Sequence, residues 1–426
     1  MSNAAATSTS TAQDEAPQRA KWSTIFILCS MWAGLVVTEN ISANLLPTTI
    51  RSFTENAFII GLIIALNPLF GFIANPLVGV LSDKIWTPIG RRGFFLVTCA
   101  PIVGFCLVFV PQAASLIQLL ILVTTYQFFQ DVLWGSDHPL LADLIPPSMR
   151  TIVAGMMLMS AQATGFVFSR YGMGFVLEAF GDEVLYAIGG MCQIAMVSLP
   201  ALFLNEKKVT PKDRPPLTIK RYVKDFLGDP ILRRFGGLGF TQYLFQNILQ
   251  GFFVLFVIDT LLVSRGEFGR IWSWMPALNF FLAIPIGIIA EKYLPKQIAL
   301  ICGYCSMLMC CVLGWFAQDA SDLLPVFLFF GMGQLVSGVC QKAYLTEFIP
   351  RDIIGQISGA YNICMALGRT VATAGGGFVI MLFDNNYRVI FPLAFVFGLI
   401  SIYLVWGIKD VRFAERKASR TSTPSA

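Results

Sequence analysis

Twelve runs of roughly 20 mostly apolar residues, each long enough for a helix to cross a bilayer, follow one another along the chain, parted by short polar connections. They cover Ser23 to Leu46, Phe58 to Leu81, Phe94 to Val110, Leu116 to Leu141, Ile152 to Phe175, Leu185 to Phe203, Phe235 to Ile258, Ile271 to Ile289, Ile298 to Phe316, Leu323 to Leu345, Ile357 to Phe383 and Val389 to Trp406. Hydrocarbon offers the backbone no hydrogen-bond partner, so each run predicts a helix, bent where Pro68, Pro76, Pro101 and Pro285 fall. Polar positions between the runs repeat. GVLSDK (Gly79 to Lys84) returns as GIIAEK (Gly287 to Lys292), and ADLIP (Ala142 to Pro146) returns as TEFIP (Thr346 to Pro350). A glycine follows nine residues after each of those prolines, at Gly155 and Gly359. The spacings, 208 and 204 residues, nearly agree. Two matches in one order at one spacing predict a duplicated bundle of six helices per half.

Composition then excludes the soluble alternatives. With 56% apolar and 13% charged residues and a mean hydropathy of +0.69, the chain is an all-α polytopic membrane protein. The expected organisation is a disordered tail at 1–22, a six-helix bundle at 23–204, a basic loop at 205–234, a second bundle at 235–410 and a tail at 411–426. Within the loop, Ile219, Tyr222, Val223, Phe226 and Leu227 are spaced for an amphipathic helix on the membrane surface, with a regulatory calmodulin-like target as the alternative. If the N-terminus is inside, only Arg51, Arg265, Arg270 and Arg388 of the 30 basic residues face outward, and Arg170, Lys342 and Arg369 lie within spans. The excess of positive charge inside places both termini in the cytoplasm, in a plasma or inner membrane. The net charge of +5 therefore reports topology and gives no support to nucleic-acid binding. All 10 cysteines fall inside spans, away from histidine or carboxylates, and read as small packing residues with no metal or cofactor expected. The sequence carries no zincin, phosphate-loop or hydrolase motif, so no enzyme is expected.

The connection PLVGVLSDKIWTPIGRR (Pro76 to Arg92) contains Gly79, Ser82, Asp83, Lys84, Gly90, Arg91 and Arg92. It resembles the signature loop of the major facilitator superfamily. Five residues part Lys84 from Gly90, a longer form similar to the sucrose transporters and the glycoside-pentoside-hexuronide branch. PLLADLIPPSMR (Pro139 to Arg150) resembles the segment leaving the fourth helix of that branch, while Gly93 departs from its usual third basic residue. The resemblance covers the twelve-helix core. It implies two pseudo-symmetric bundles, a cavity lined by the first, fourth, seventh and tenth helices, and a latch formed by Asp83 and its arginines, with Glu291 and Lys292 as the weakened second copy.

Those four spans are also where polar side chains gather. The first carries Glu39, Asn40 and Asn44; the fourth carries Gln127, Gln130, Asp131, Trp134 and His138 on one face, with Asp137 to its side. The seventh carries Gln242, Gln246, Asn247 and Gln250, and the tenth Gln334, Gln341 and Lys342. A polar stripe in lipid must face protein or water. Amides beside rings such as Trp32, Tyr126 and Trp134 suit a neutral hydroxylated solute, although amides also tie helix to helix. Among the intramembrane charges, Asp131 is the first candidate for carrying a coupling proton, with Arg170 as its partner; Glu39 is the second candidate, and Arg369 and His138 complete the set. Such a carboxylate must change its affinity for a proton as the cavity turns from one side to the other. The expectation is a symporter of a sugar or related polyol driven by protons, with sodium as the other coupling cation; the sequence does not fix the oligomeric state, for which a monomer is plausible. An efflux antiporter of amphipathic compounds and a non-transporting scaffold are the competing readings.

Overall fold

The computed structural model describes residues 21–146, 148–204, 206, 228–348 and 354–408. The expected amphipathic loop helix and most of both tails lie outside the described residues. Eleven helical segments among the described residues are long and apolar enough to cross a membrane. The longest, Arg150–Ala201, is two spans. Gly181 sits at φ +83° with extended ψ, a conformation L side chains resist, and a Cβ at Gly172 would meet Leu185 at 3.2 Å. Thirteen residues of straight helix would instead separate those two by about 20 Å, so the chain has doubled back.

The twelve spans are α1 (Trp22–Arg51), α2 (Ala57–Lys84), α3 (Gly93–Gln112), α4 (Leu116–Leu144), α5 and α6 (the two arms of Arg150–Ala201), α7 (Pro230–Thr260), α8 (Arg265–Trp272 continued by Trp274–Lys292), α9 (Lys296–Phe316), α10 (Ala320–Glu347), α11 (Ile354–Leu382) and α12 (Tyr387–Trp406). Side chains satisfy amides that the helix starts leave open. Asn56 accepts from Phe58 and Ile59, Asp229 from Ile231 and Leu232 ahead of Pro230, and Ser264 from Glu267.

Packing repeats with the sequence. In the first half α2 and α3 pack on α4, α1 on α5 and α6, and α3 on α6; in the second half α8 and α9 pack on α10, α7 on α11 and α12, and α9 on α12. Each pairing is the other advanced by six helices. The halves meet through α2 against α11 and α5 against α8, a pair of seams that the same advance exchanges. With an even number of spans both termini emerge at one end, the terminal end; the other is distal.

Candidate functional site

Helix α1 turns Thr38, Ser42 and Thr49 into the first bundle, where each meets a polar partner. Thr38 donates to Gln193 Oε1 (2.8 Å), Gln193 Nε2 donates to Gln130 Oε1 (3.0 Å), and Gln130 Nε2 donates to the Leu35 carbonyl (3.3 Å). Ser42 bonds Tyr126 Oη (3.0 Å) and Thr49 bonds Tyr186 Oη (2.8 Å). These bonds tie α1 to α4 and α6. Gln130, expected among the solute-binding amides, takes part in these ties between helices. Gln246 does likewise: its Nε2 donates to Ser337 Oγ across α7 and α10 (3.1 Å). Gln341 accepts from Tyr304 Oη (3.1 Å) and keeps an unpaired Nε2. Gln193, Tyr304 and Ser337 were passed over in the sequence, because a lone polar residue in an apolar run does not reveal what it faces.

Other expected site residues keep polar atoms in reserve. The carbonyl oxygens of Gln127 and Gln242 are buried without a hydrogen bond, and so is Asp131 Oδ2. Asn40 and Asn247 donate to carbonyls of their own helices, at Val36 and Tyr243. Asn40 also lies beside Gly165 on α5 and Pro276 on α8, where the halves adjoin. Asn44 is buried, Gln250 and Gln334 are half-buried, and the Lys342 side chain lies outside the described residues. Trp134 meets Trp32 edge to face at 5.9 Å.

The intramembrane charges regroup. Glu39 and Asp131, both on the first half, share the field of Arg369, which reaches in from α11 of the second. The Arg369 guanidinium lies 5.0 Å from the centre of the Tyr243 ring, a cation–π contact. Arg170, expected as the partner of Asp131, instead donates to the Arg270 carbonyl (3.4 Å) at the distal end of α8. The position of a residue within its span does not say which neighbour its side chain faces. His138 is exposed near the terminal end of α4, with Nδ1 2.6 Å from the Trp134 carbonyl. Asp137, set aside from the sequence, is fully enclosed; neither carboxylate oxygen is hydrogen-bonded, and the Trp32 indole is the polar group facing it, short of hydrogen-bond geometry. A carboxylate in lipid is a functional candidate by default, and that rule would have found it.

Between described residues, the hydrogen bonds and ion pairs that cross the two halves gather at the distal end. Arg51 meets Asp259 at 2.9 Å, Arg265 meets both oxygens of Asp182 at 2.7 and 2.9 Å, and Arg270 meets Glu178 at 3.0 and 3.3 Å. Ala57 N donates to Asn385 Oδ1 (3.2 Å). Arg51 and Asp259 stand 208 residues apart, the spacing of the repeat, so this pair joins equivalent points of the two halves. Above the seal lies a cavity of about 700 Å³ whose walls include Arg51, Asp182, Asp259 and Arg265.

At the terminal end, the ion pairs between described side chains lie within each half. Asp143 takes Arg91 (2.7 Å) and Arg92 (3.0 Å), while Glu206 accepts the backbone amides of Arg91, Arg92 and Gly93 at the start of α3. Gly90, at φ +109°, lets this turn close; a Cβ there would lie 2.7 Å from Glu206. Lys296 meets Glu347 at 2.5 Å, the same contact as Arg92 with Asp143 moved on by the repeat. Gly79 and Asp83 fall in the last turns of α2, and Glu291 and Lys292 at the end of α8; the side chains of Asp83, Glu291 and Lys292 lie outside the described residues.

A family model described as Major Facilitator Superfamily matches residues 22–373 and again 235–425. Among solved structures, a nucleoside transporter, NupG, is 10% identical at a TM-score of 0.71, covering 91% of this chain and 100% of its own. A bacterial homolog to the human lysosomal transporter Spinster, inward-facing and occupied, is 14% identical at a TM-score of 0.66, covering 90% and 95%. A peptide transporter, POT, in complex with sulfate is 11% identical at a TM-score of 0.69, covering 90% and 94%. Among curated proteins no relative matches.

Proposed function

The chain belongs to the major facilitator superfamily, and from that premise we propose that it is a symporter carrying a sugar or related neutral hydroxylated solute inward with protons. It is an integral multi-pass membrane transporter, not an enzyme. The placement in a plasma or inner membrane with cytoplasmic termini rests on the scarcity of basic residues in the outer connections. In that orientation the distal end faces outside, and the conformation described is the one sealed against the exterior.

The observation that carries the reading is the charge trio. Two carboxylates on the first half and one arginine on the second act on one another electrostatically inside the membrane, with a net charge of −1 when neither acid is protonated. One proton brings it to zero. A change of one charge at the junction of two rocking bodies alters the balance between the two access states, which is what coupling requires. The unpaired carbonyls of Gln127 and Gln242 accept hydroxyl hydrogens, and the Trp134 and Tyr243 rings offer faces for the apolar side of a sugar. The longer signature loop resembles that of sugar-carrying relatives and favours the same class.

Purified protein in liposomes provides the test. Labelled mono- and disaccharides are offered at two external pH values, with and without a protonophore. Uptake should rise with external acidity and collapse with the protonophore. Asp131→Asn should retain solute exchange but lose accumulation against a gradient. Uptake of every solute indifferent to the protonophore would refute proton coupling.

A further inference from the structure

Resting on the symport reading for the class of solute, we propose that the distal cavity is a second binding site for the hydroxylated solute, one that exists only while the seal is shut. Its walls are built from both halves. The turn at Gly181 doubles the chain back with Phe180 and Asp182 on either side of it, and the end of α1 adds Arg51. Leu255, Asp259 and Arg265 come from the second half. The volume, about 700 Å³, falls within the range of small-molecule pockets. Arg51 with Asp259 (2.9 Å) and Arg265 with Asp182 (2.7 Å) cross from one half to the other within this wall. The contacts that close the distal end therefore also assemble the cavity, and parting the halves takes its walls apart.

The lining selects the ligand. Among the described residues no group of three histidine, cysteine or carboxylate side chains is placed to hold a metal ion. Each guanidinium in the wall already has a carboxylate to balance it, which removes the pull on an anion. A guanidinium carries several N–H donors and a carboxylate several lone pairs. The bonds across the halves engage Nε of Arg51 and Nη1 of Arg265, so both side chains keep donors beyond those bonds. The Thr48 and Ser52 hydroxyls donate to carbonyls of their own helix and keep lone pairs that accept. Phe53 and Phe180 add rings beside these groups. Donors, acceptors and aromatic faces together complement a neutral polyol, whereas a purely apolar compound would strip water from four charges for no return.

The consequence is self-inhibition from the distal side. A ligand held by both halves binds the sealed state and not the open one, so it weights the equilibrium toward the sealed state. At ten times its dissociation constant in the cavity the weighting is about tenfold. Dilute solute enters through the open state; concentrated solute holds the entrance shut.

The test pairs sugar uptake into liposomes, measured from the distal side over a wide concentration range, with a binding readout that needs no transport. For the second, Glu183→Cys, an exposed position in the cavity wall, is placed in a full-length background freed of native cysteines and labelled with a membrane-impermeant maleimide. Uptake by the parent protein should rise, peak and fall, and the concentrations that depress it should slow labelling of Glu183→Cys roughly tenfold. Phe180→Ala, at a mostly exposed ring, should leave uptake of dilute sugar within about twofold and move the falling phase to about tenfold higher concentration. Ser52→Trp, which puts an indole into the cavity, should remove both the fall and the protection. Uptake that saturates without falling, with labelling indifferent to sugar, would overturn the assignment. A fall and a protection that persist unchanged in both variants would also overturn it, placing the inhibition elsewhere. If no sugar enters the liposomes, the symport reading fails, and protection of Glu183→Cys that Ser52→Trp abolishes still decides the cavity.

Discussion

The two seams between the halves are copies of each other in backbone and strangers in chemistry. In the α2–α11 seam, Gly61 lies against the Thr373 carbonyl; in the α5–α8 seam, Gly269 lies against the Ser169 carbonyl, where a Cβ would come within 2.8 Å. The glycines are 208 residues apart and the carbonyls 204, so duplication preserved the crossing itself. Around it, α2 and α11 bring Phe58 edge to face with Phe378 at 5.6 Å, and just past α11 Asn385 accepts a hydrogen bond from the Ala57 amide. The α5–α8 seam brings Arg265 with Asp182, Arg270 with Glu178, and Ser264 donating to Glu178. One seam shows aromatic packing; the other shows ion pairs. The lesson is that close backbone approach is what lets the distal end shut, while the ion pairs on one side set how readily it reopens.

Substitution at the crossings should have the largest effect. Gly61→Leu and Gly269→Leu each push a side chain into a neighbouring carbonyl, an overlap of about 1–3 kcal/mol in a packed site. Each should cut uptake roughly tenfold or more, with labels at the distal end becoming reactive. Equal effects would show that the crossing is shared machinery; a silent Gly61→Leu would confine closure to the ionic seam.

Charge reversal comes next. Arg265→Glu places a carboxylate against Asp182, and because both partners are about one-third exposed, the lost pair amounts to about 0.2–1 kcal/mol before repulsion is added. Uptake should change about three- to fivefold, and Arg265→Glu with Asp182→Arg should recover most of it. Failure of the double variant would mean that the pair does not govern the gate. The smallest effect is that of salt. Raising ionic strength from about 0.01 to 1 M shortens the screening length from roughly 30 to 3 Å. Distal opening, read from label reactivity, should rise about twofold in the parent protein but not once Arg265 and Arg270 are replaced by glutamine.

How much of this was legible in the sequence depended on periodicity. Helices such as α4 and α9 begin and end close to where the apolar runs do, since lipid permits few other structures, and the repeat spacing even relates the partners Arg51 and Asp259. The turn at Gly181 was implied by the gap between two runs. What one strand of sequence cannot carry is which helix a polar face addresses. Gln130 and Gln246 look like cavity residues by spacing, and the fold adds that each hydrogen-bonds a neighbouring helix of its own bundle. Arg369 reaches the acids from a helix nearly 240 residues beyond Asp131, a proximity created only by the fold. Asp137 was set aside because it leaves the stripe, yet leaving the stripe turned it into the packed interior.

The central claim is that the sealed distal end is one of two states between which proton and solute move the molecule. Spin labels at Glu55→Cys and Leu262→Cys, exposed positions on the two halves flanking the seal, in a background freed of native cysteines, measure it directly by electron–electron distance. The account predicts a short distance matching the sealed form and a second, longer one, their proportions shifting with acid and with a transported sugar. A single short distance under every condition would contradict it.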